Sequence, residues 1–261
     1  MPEGDTLRQA ELRIAPLLEG RRLERVWFRR GLVLSPRAGQ LVESVHAVGK
    51  HLLIELDRGL TLDTHLGMGG WWTTMAATRV PQPGPKLRIA LTVAEGHALC
   101  YAAPTIRTFV RDGGPTPVDH LGPDLSDEAP DLDAVLARID AIATPEQPVA
   151  DVLLDQRIAA GVGNVFKSEA LFVVGIHPLT PIGALDADAR RRLWTTAHRQ
   201  LRANARLGPR RTTVTNHGVA VYGRHHGGCP RCDGAIEYAP AGPGGSTRSS
   251  YWCPVCQPAP S

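Results

Sequence analysis

Aromatic residues are scarce in this 261-residue chain, at 5% of positions. Lysine is scarcer still: it occurs only as Lys50, Lys86 and Lys167, so positive charge rests on arginine. No apolar run approaches the roughly 18 residues of a membrane-spanning helix, which excludes a membrane role of that kind. The opening Met1-Pro2-Glu3-Gly4-Asp5 has no apolar h-region, so no secretory signal is expected and the chain is placed in the cytoplasm. Cysteine is missing from most of the sequence. Four of the five form Cys229-x2-Cys232 and Cys253-x2-Cys256, and Cys100 stands alone in an apolar stretch. That pattern argues against a distributed disulfide framework and for a reducing compartment with one metal site. What is present is ordinary for a globular protein: 43% hydrophobic and 21% charged residues, which excludes wholesale disorder.

The net charge of +3 hides an asymmetry. From Asp112 to Asp155 there are eleven acids and one base, Arg138; from Arg190 to Arg231 there are ten arginines and no acid. An anionic partner for the second segment and a plain solvated arginine face fit this equally well.

Residues 5–19 read as a helix. Leu7, Ala10, Ile14, Leu17 and Leu18 fall near a 3.6 period, Gly20 ends it, and Pro16 should kink or shorten its last turn. Strand-like runs then dominate to residue 111, among them Arg22–Phe28, Leu52–Leu56, Leu60–His65, Leu87–Val93 and Ala98–Ala102. This half reads as a β-sandwich with a leading helix. Arg111–Asp131 reads as a linker. Helical periods follow at Asp131–Ile142, Val149–Ala160, Asn164–Val173 and Asp186–Leu207, the last stopped by Gly208-Pro209. Residues 223–261 are too few for an apolar core of their own and need a metal staple, with Ala239–Ser246 as a loose loop tip. The fold class expected is α+β multidomain, divided as 1–118, 119–222 and 223–261.

Three constellations could carry chemistry. Two Cys-x2-Cys knuckles can present four thiolates tetrahedrally to one Zn2+. With no coordination position left open, that zinc would be structural, and His225 and His226 would be surplus. The run Leu154 to Glu169 places a glycine turn, Gly161-Val162-Gly163, before Asn164, which can cap the next helix. Free N–H groups at that helix start can hold a phosphate, with Lys167 adding charge. By itself this is equally a helix–turn–helix in a core. At the N-terminus, loss of Met1 would expose Pro2 as a secondary amine. An α-amino group titrates near about pH 8, so part of it is a neutral nucleophile near neutral pH. Glu3 beside it could act as an acid or base. Pro-Glu before a helix is also common without any such role.

Taken together, Met1-Pro2-Glu3-Gly4, Val48-Gly49-Lys50-His51-Leu52-Leu53, His65-Leu66-Gly67-Met68, the Asp155–Glu169 run, Tyr222-Gly223-Arg224 and Tyr251-Trp252-Cys253-Pro254-Val255-Cys256-Gln257 resemble the formamidopyrimidine-DNA glycosylase / endonuclease VIII family of bacterial base-excision repair enzymes. The similarity spans nearly the whole chain, in order, and is closest to the endonuclease VIII-like branch of high-G+C bacteria. It implies an N-terminal helix and β-sandwich, a helix–two-turns–helix domain and a C-terminal zinc finger. It also implies a glycosylase and AP lyase working as a monomer on damaged DNA, cleaving the strand by β,δ-elimination.

By the same resemblance Pro2 is the nucleophile, Glu3 the general acid, and Lys50 a phosphate-holding lysine that assists catalysis. Asn164 binds phosphate, Glu169 is a supporting catalytic acid, and Arg248 clamps the backbone. Met68, Arg107 and Phe109 match residues that fill the duplex. Thr6 stands where many members carry a second early glutamate, and the finger hairpin is lengthened before Arg248. The N-terminal and Tyr-Trp-Cys-Pro motifs point to oxidised pyrimidines, whereas His65-Leu66-Gly67-Met68 points to oxidised purines. Two other readings are a non-catalytic damaged-DNA binder on the same scaffold and a zinc-ribbon RNA-binding protein.

Overall fold

The computed structural model describes residues 2–32, 34–208, 218–240 and 248–260. The chain folds as two compact units, divided between Asp119 and His120.

The first unit begins with helix α1, Gly4–Leu18, which runs through Pro16. Leu7, Ala10, Ile14 and Leu18 form its buried face. Eight strands follow: β1 Arg25–Phe28, β2 Val42–Val48, β3 His51–Leu56, β4 Leu60–His65, β5 Trp71–Ala76, β6 Leu87–Val93, β7 Gly96–Tyr101 and β8 Thr105–Val110. They make two four-stranded antiparallel sheets, ordered β1-β6-β7-β5 and β2-β3-β4-β8. Val45, Leu52, Ile54 and Leu62 of one sheet share a core with Ile89, Leu91, Ala98 and Cys100 of the other and with the apolar face of α1. Each such side chain removed from water contributes about 1.5–3 kcal/mol, largely offset by chain entropy. The Trp72 indole donates to Thr64 Oγ1 at 3.1 Å, a polar link across that core.

Strand β2 is an edge whose free backbone donors would otherwise recruit another strand. Two glutamates of α1 cover them: Glu19 accepts from the Val45 N–H and Glu11 from the Ala47 N–H, each at 2.8 Å. These contacts also fix direction. Moving toward the start of α1 is moving toward the end of β2, so Pro2 and Glu3 lie on the side of the Gly49-Lys50 turn.

The second unit holds helices α2 Leu132–Ile142, α3 Val149–Leu154, α4 Asn164–Val174 and α5 Ala187–Asn204, then strands β9 Glu237–Ala239 and β10 Ser250–Trp252. Three sequence expectations are corrected here. The helix expected over Val149–Ala160 stops at Leu154, because Gln156 turns the chain: its Nε2 donates to Leu154 O and Val162 O, and its Oε1 accepts from the Gly161 N–H. The linker is shorter than 111–131: Leu125 is fully buried, and the stretch around Asp124 pairs in parallel with Ala160. Ala239 belongs to a strand paired with Ser250 rather than to the loop tip, whose residues 241–246 lie outside the described residues.

Part of the charge asymmetry is satisfied within this unit. Arg190, Arg191 and Arg202 of α5 pair with Asp140, Asp133 and Glu128 of the acidic segment. Among the described residues no helix is long and apolar enough to cross a membrane.

Candidate active site and nucleic-acid interface

In the first unit Glu3 is fully buried at the N-cap of α1. Thr6 closes the first turn: its Oγ1 accepts from the Glu3 N–H at 3.4 Å, and its own N–H and hydroxyl donate to Asp5 Oδ1. The residue standing in for an expected glutamate thus orders the helix start. Lys50 lies outside the strands. It is the second residue of the two-residue turn joining β2 to β3, where Val48 pairs with His51. Gly49 takes φ +57° there, a left-handed conformation that suits glycine first in a tight hairpin.

Met68 lies in the turn after β4 and is 68% exposed, so core packing does not account for it. Arg107 and Phe109, two residues apart, share one face of β8. Phe109 is half-buried, and Arg107 Nε donates to the fully buried Asp63 at 2.7 Å. Cys100 is buried in the sandwich core, and burial raises its pKa strongly; it is inert packing.

In the second unit α4 is the organising element. Gly163, not Asn164, is its N-cap. Asn164 begins the helix, and its amide donates to Ser249 Oγ at 3.1 Å, while its buried Oδ1 has no hydrogen-bond partner among the described residues. Lys167 is fully buried, and its ammonium donates to Ser249 O at 2.8 Å and Ser250 Oγ at 3.1 Å. It holds the strand entry immediately after Arg248 and does not reach solvent as a direct phosphate contact would. Arg248 is exposed and directly precedes the Ser249-Ser250 pair that these bonds hold.

Glu169 is also fully buried. Its carboxylate accepts three backbone N–H groups, from Ala220 at 2.7 Å and from Val221 and Tyr222 at 2.9 Å each. That is a backbone clamp at the root of the finger, different from the catalytic support implied by resemblance. The sequence gives no sign of it, because the three partners stand fifty residues downstream.

The finger is also fastened to the far end of α4. Arg231 donates to the carbonyls of Phe172 and Val173 and lies 4.3 Å over the Phe172 ring. A cation at a helix C-terminus is favourable. Gln257 donates to Ile176 O at 2.7 Å and accepts from the Cys253 N–H. The sulfur atoms of Cys229, Cys232, Cys253 and Cys256 lie within 4.8 Å of one another, with separations of 3.5, 3.6 and 3.9 Å. Four thiolates about 2.3 Å from one zinc sit about 3.8 Å apart, so the set fits that ion. Burial and the neighbouring sulfurs push the Cys256 thiol up to about 12, a crowding that a bound dication would relieve. His225 and His226 are exposed, stacked on each other at 3.6 Å, and outside the cluster.

Comparisons with known proteins agree with this geometry. Residues 1–111 match the formamidopyrimidine-DNA glycosylase N-terminal domain, and residues 121–216 match the formamidopyrimidine-DNA glycosylase H2TH domain. The chain is 39% identical over 270 residues to probable endonuclease 8 2 of Streptomyces coelicolor, covering all of this chain and 95% of that one. It is 34% identical to DNA-(apurinic or apyrimidinic site) lyase Nei2 of Mycolicibacterium smegmatis, covering 99% and 100%. Among solved structures, the fold is shared with Lactococcus lactis Fpg in complex with oxidised-pyrimidine DNA, at TM-score 0.82 and 21% identity over 99% of this chain and all of that one. A second Lactococcus lactis Fpg complex, with abasic-site DNA, gives 0.80 and 19% over 98% and 100%. With both halves matched and curated relatives aligned end to end, the chain belongs to the formamidopyrimidine-DNA glycosylase / endonuclease VIII family of base-excision DNA glycosylases and AP lyases.

Proposed function

We propose that this chain excises oxidised bases, pyrimidines foremost, from DNA and nicks the resulting abasic site, with Pro2 as nucleophile. The observation that carries this reading is the direction of α1 on β2. The Glu11–Ala47 and Glu19–Val45 bonds turn Pro2 and Glu3 toward the Gly49-Lys50 turn, gathering an N-terminal amine, a buried carboxyl group and a lysine at one end of the sheet.

With Met1 removed, the neutral Pro2 amine attacks C1′ of the damaged nucleoside. The glycosidic bond breaks, the base leaves with a proton, and the ring oxygen opens from C1′ with a proton supplied by Glu3. The adduct is an iminium, whose positive nitrogen accepts the electrons released when the C2′ proton is lost. The 3′ phosphate leaves in that step, and a second elimination expels the 5′ phosphate. Lys50 holds backbone phosphate. Met68, with Phe109, enters the space of the expelled nucleotide, while Arg107 stays on Asp63 beside them.

In the second unit Asn164 and Arg248 contact phosphates. Glu169 and Lys167 are positioning residues that hold the finger's root and strand entry. One zinc on the four cysteines is structural. The division at 118 and 222, with the finger as a third module, and a cytoplasmic monomer complete the reading.

The Met1-Pro2-Glu3-Gly4 and Tyr251-Trp252-Cys253-Pro254 motifs support oxidised pyrimidines over the purine-like His65-Leu66-Gly67-Met68 signature. The test is a panel of duplex, bubble and single-stranded oligonucleotides carrying dihydrouracil, thymine glycol or 8-oxoguanine. Faster release of the two pyrimidines is expected. Preference for 8-oxoguanine would overturn the lesion assignment, and no release of any of the three would overturn the enzyme.

A further inference from the structure

Strand alternation places His51, Asp63, His65 and Arg107 on one face of the β2-β3-β4-β8 sheet. His51 pairs with His65, and Asp63 pairs with Leu53 on one side and Arg107 on the other. His51 and Asp63 are therefore diagonal neighbours, within reach of an imidazole. Asp63 is fully buried, with Oδ1 2.9 Å from His51 Nδ1 and Oδ2 2.7 Å from Arg107 Nε. Burial works against this carboxylate, but His51 and Arg107 outweigh it and hold its pKa below the usual range.

His65 stands edge-on to His51 at 5.3 Å and behaves differently. Its Nδ1 accepts from the Gly67 N–H at 3.1 Å. Burial first lowers its pKa, and the neighbouring His51, Lys50 and Arg107 add to that against the pull of Asp63. His65 is thus a neutral acceptor. On β2 the nearest titratable side chain of this face, His46, lies 4.0 Å from Glu55 instead. Helix α1 adds its apolar residues to the core on the sheet's other face. Among the described residues, the charged and titratable groups shown acting around this cluster are Lys50, His51, Asp63, His65 and Arg107.

Arg107 alone would neutralise Asp63, so the imidazole is not needed to balance the buried charge. With His51 neutral, the Asp63–Arg107–His51 trio carries no net charge; with His51 protonated, it carries one positive charge next to Lys50. A phosphate bound at Lys50 favours the second state.

We propose that His51, aimed by Asp63, is a proton-linked contact for the DNA backbone beside Lys50. Nδ1–H stays on Asp63, Nε2 takes one proton from solvent as phosphate binds, and that proton returns to solvent on release. Asp63 is the positioning residue. This inference rests on the reading of Lys50 as a phosphate-holding lysine.

The test uses the full chain and a duplex carrying a tetrahydrofuran abasic analogue, titrated from pH 5.5 to 8.5 at constant ionic strength. One linked proton makes affinity fall by up to tenfold per pH unit across the range in which binding takes it up. His51→Gln should flatten that limb. Calorimetry in two buffers of different ionisation heat should find about one proton fewer taken up by this variant. Asp63→Asn should show the same loss; if it does not fold, His51→Gln decides alone. Equal pH slopes and equal proton uptake in wild type and His51→Gln would overturn the proposal. Borohydride trapping of the wild type on abasic DNA separates the two readings. No trapping overturns the proposed function, whereas trapping with unchanged proton uptake overturns only the role of His51.

Discussion

Replacing Glu169 by glutamine distinguishes a backbone clamp from a catalytic acid. Oε1 of Glu169 accepts from Val221 and Tyr222, and Oε2 accepts from Ala220. A glutamine carbonyl can keep the first two bonds, but its NH2 then faces the Ala220 N–H, donor against donor. The variant loses one charge-assisted bond, weakens two, and leaves a buried donor unsatisfied. At about 1.5–3 kcal/mol for a bond to a charged group and about 1–3 for an orphaned donor, the cost is roughly 2.5–6 kcal/mol. For a unit of this size, that lowers the midpoint by roughly 8–18 °C, at about 3 °C per kcal/mol. Thermal unfolding followed by Trp194 and Trp252, which lie in the second unit, reads the effect directly. The finger root should loosen as well, so zinc should leave faster to a chelator. A variant with unchanged midpoint and zinc retention but greatly slowed base release would refute the clamp and restore Glu169 as a catalytic acid.

Other outcomes follow from the same contacts. Arg248→Ala should weaken binding to lesion and undamaged duplex alike and lower the salt slope by about one, measured by anisotropy across a salt series. Lys167→Met should instead weaken binding with the salt slope unchanged, because the buried ammonium serves Ser249 and Ser250 rather than phosphate. Serine at Cys229 or Cys253 should abolish a stoichiometry of one zinc per chain by elemental analysis and impair DNA binding. The sandwich, which has its own core, should stay folded by near-ultraviolet circular dichroism. Met68→Ala should leave stability within about 0.5 kcal/mol, as its exposure requires, while reducing affinity for lesion duplex in the anisotropy assay.

The parts of the fold that were legible in the sequence are those where a local pattern is sufficient. Leu60–His65 and Leu87–Val93 are strands with the bounds their apolar runs suggest, and the Cys-x2-Cys pairs converge as their spacing requires. Thr105–Val110 is rich in strand-forming residues but carries no clean apolar alternation, and its bounds are set by pairing with β4. Asn164 has the chemistry of a cap, but the chain enters α4 one residue earlier, at Gly163. Lys167 reads as surface charge by type, and its burial depends on two serines more than eighty residues away. The Asp63–His51–Arg107 contact is likewise a product of strand register, which no single stretch of sequence specifies.

The most direct test of the chemistry is to locate the covalent bond. Wild-type protein, with loss of Met1 verified by mass, is reacted with abasic-site DNA and borohydride, digested, and sequenced by mass spectrometry. The expected result is a single reduced sugar adduct on the amine of Pro2, absent when an uncleaved extension precedes it. An adduct on Lys50, or full trapping by the extended chain, would contradict Pro2 as the nucleophile.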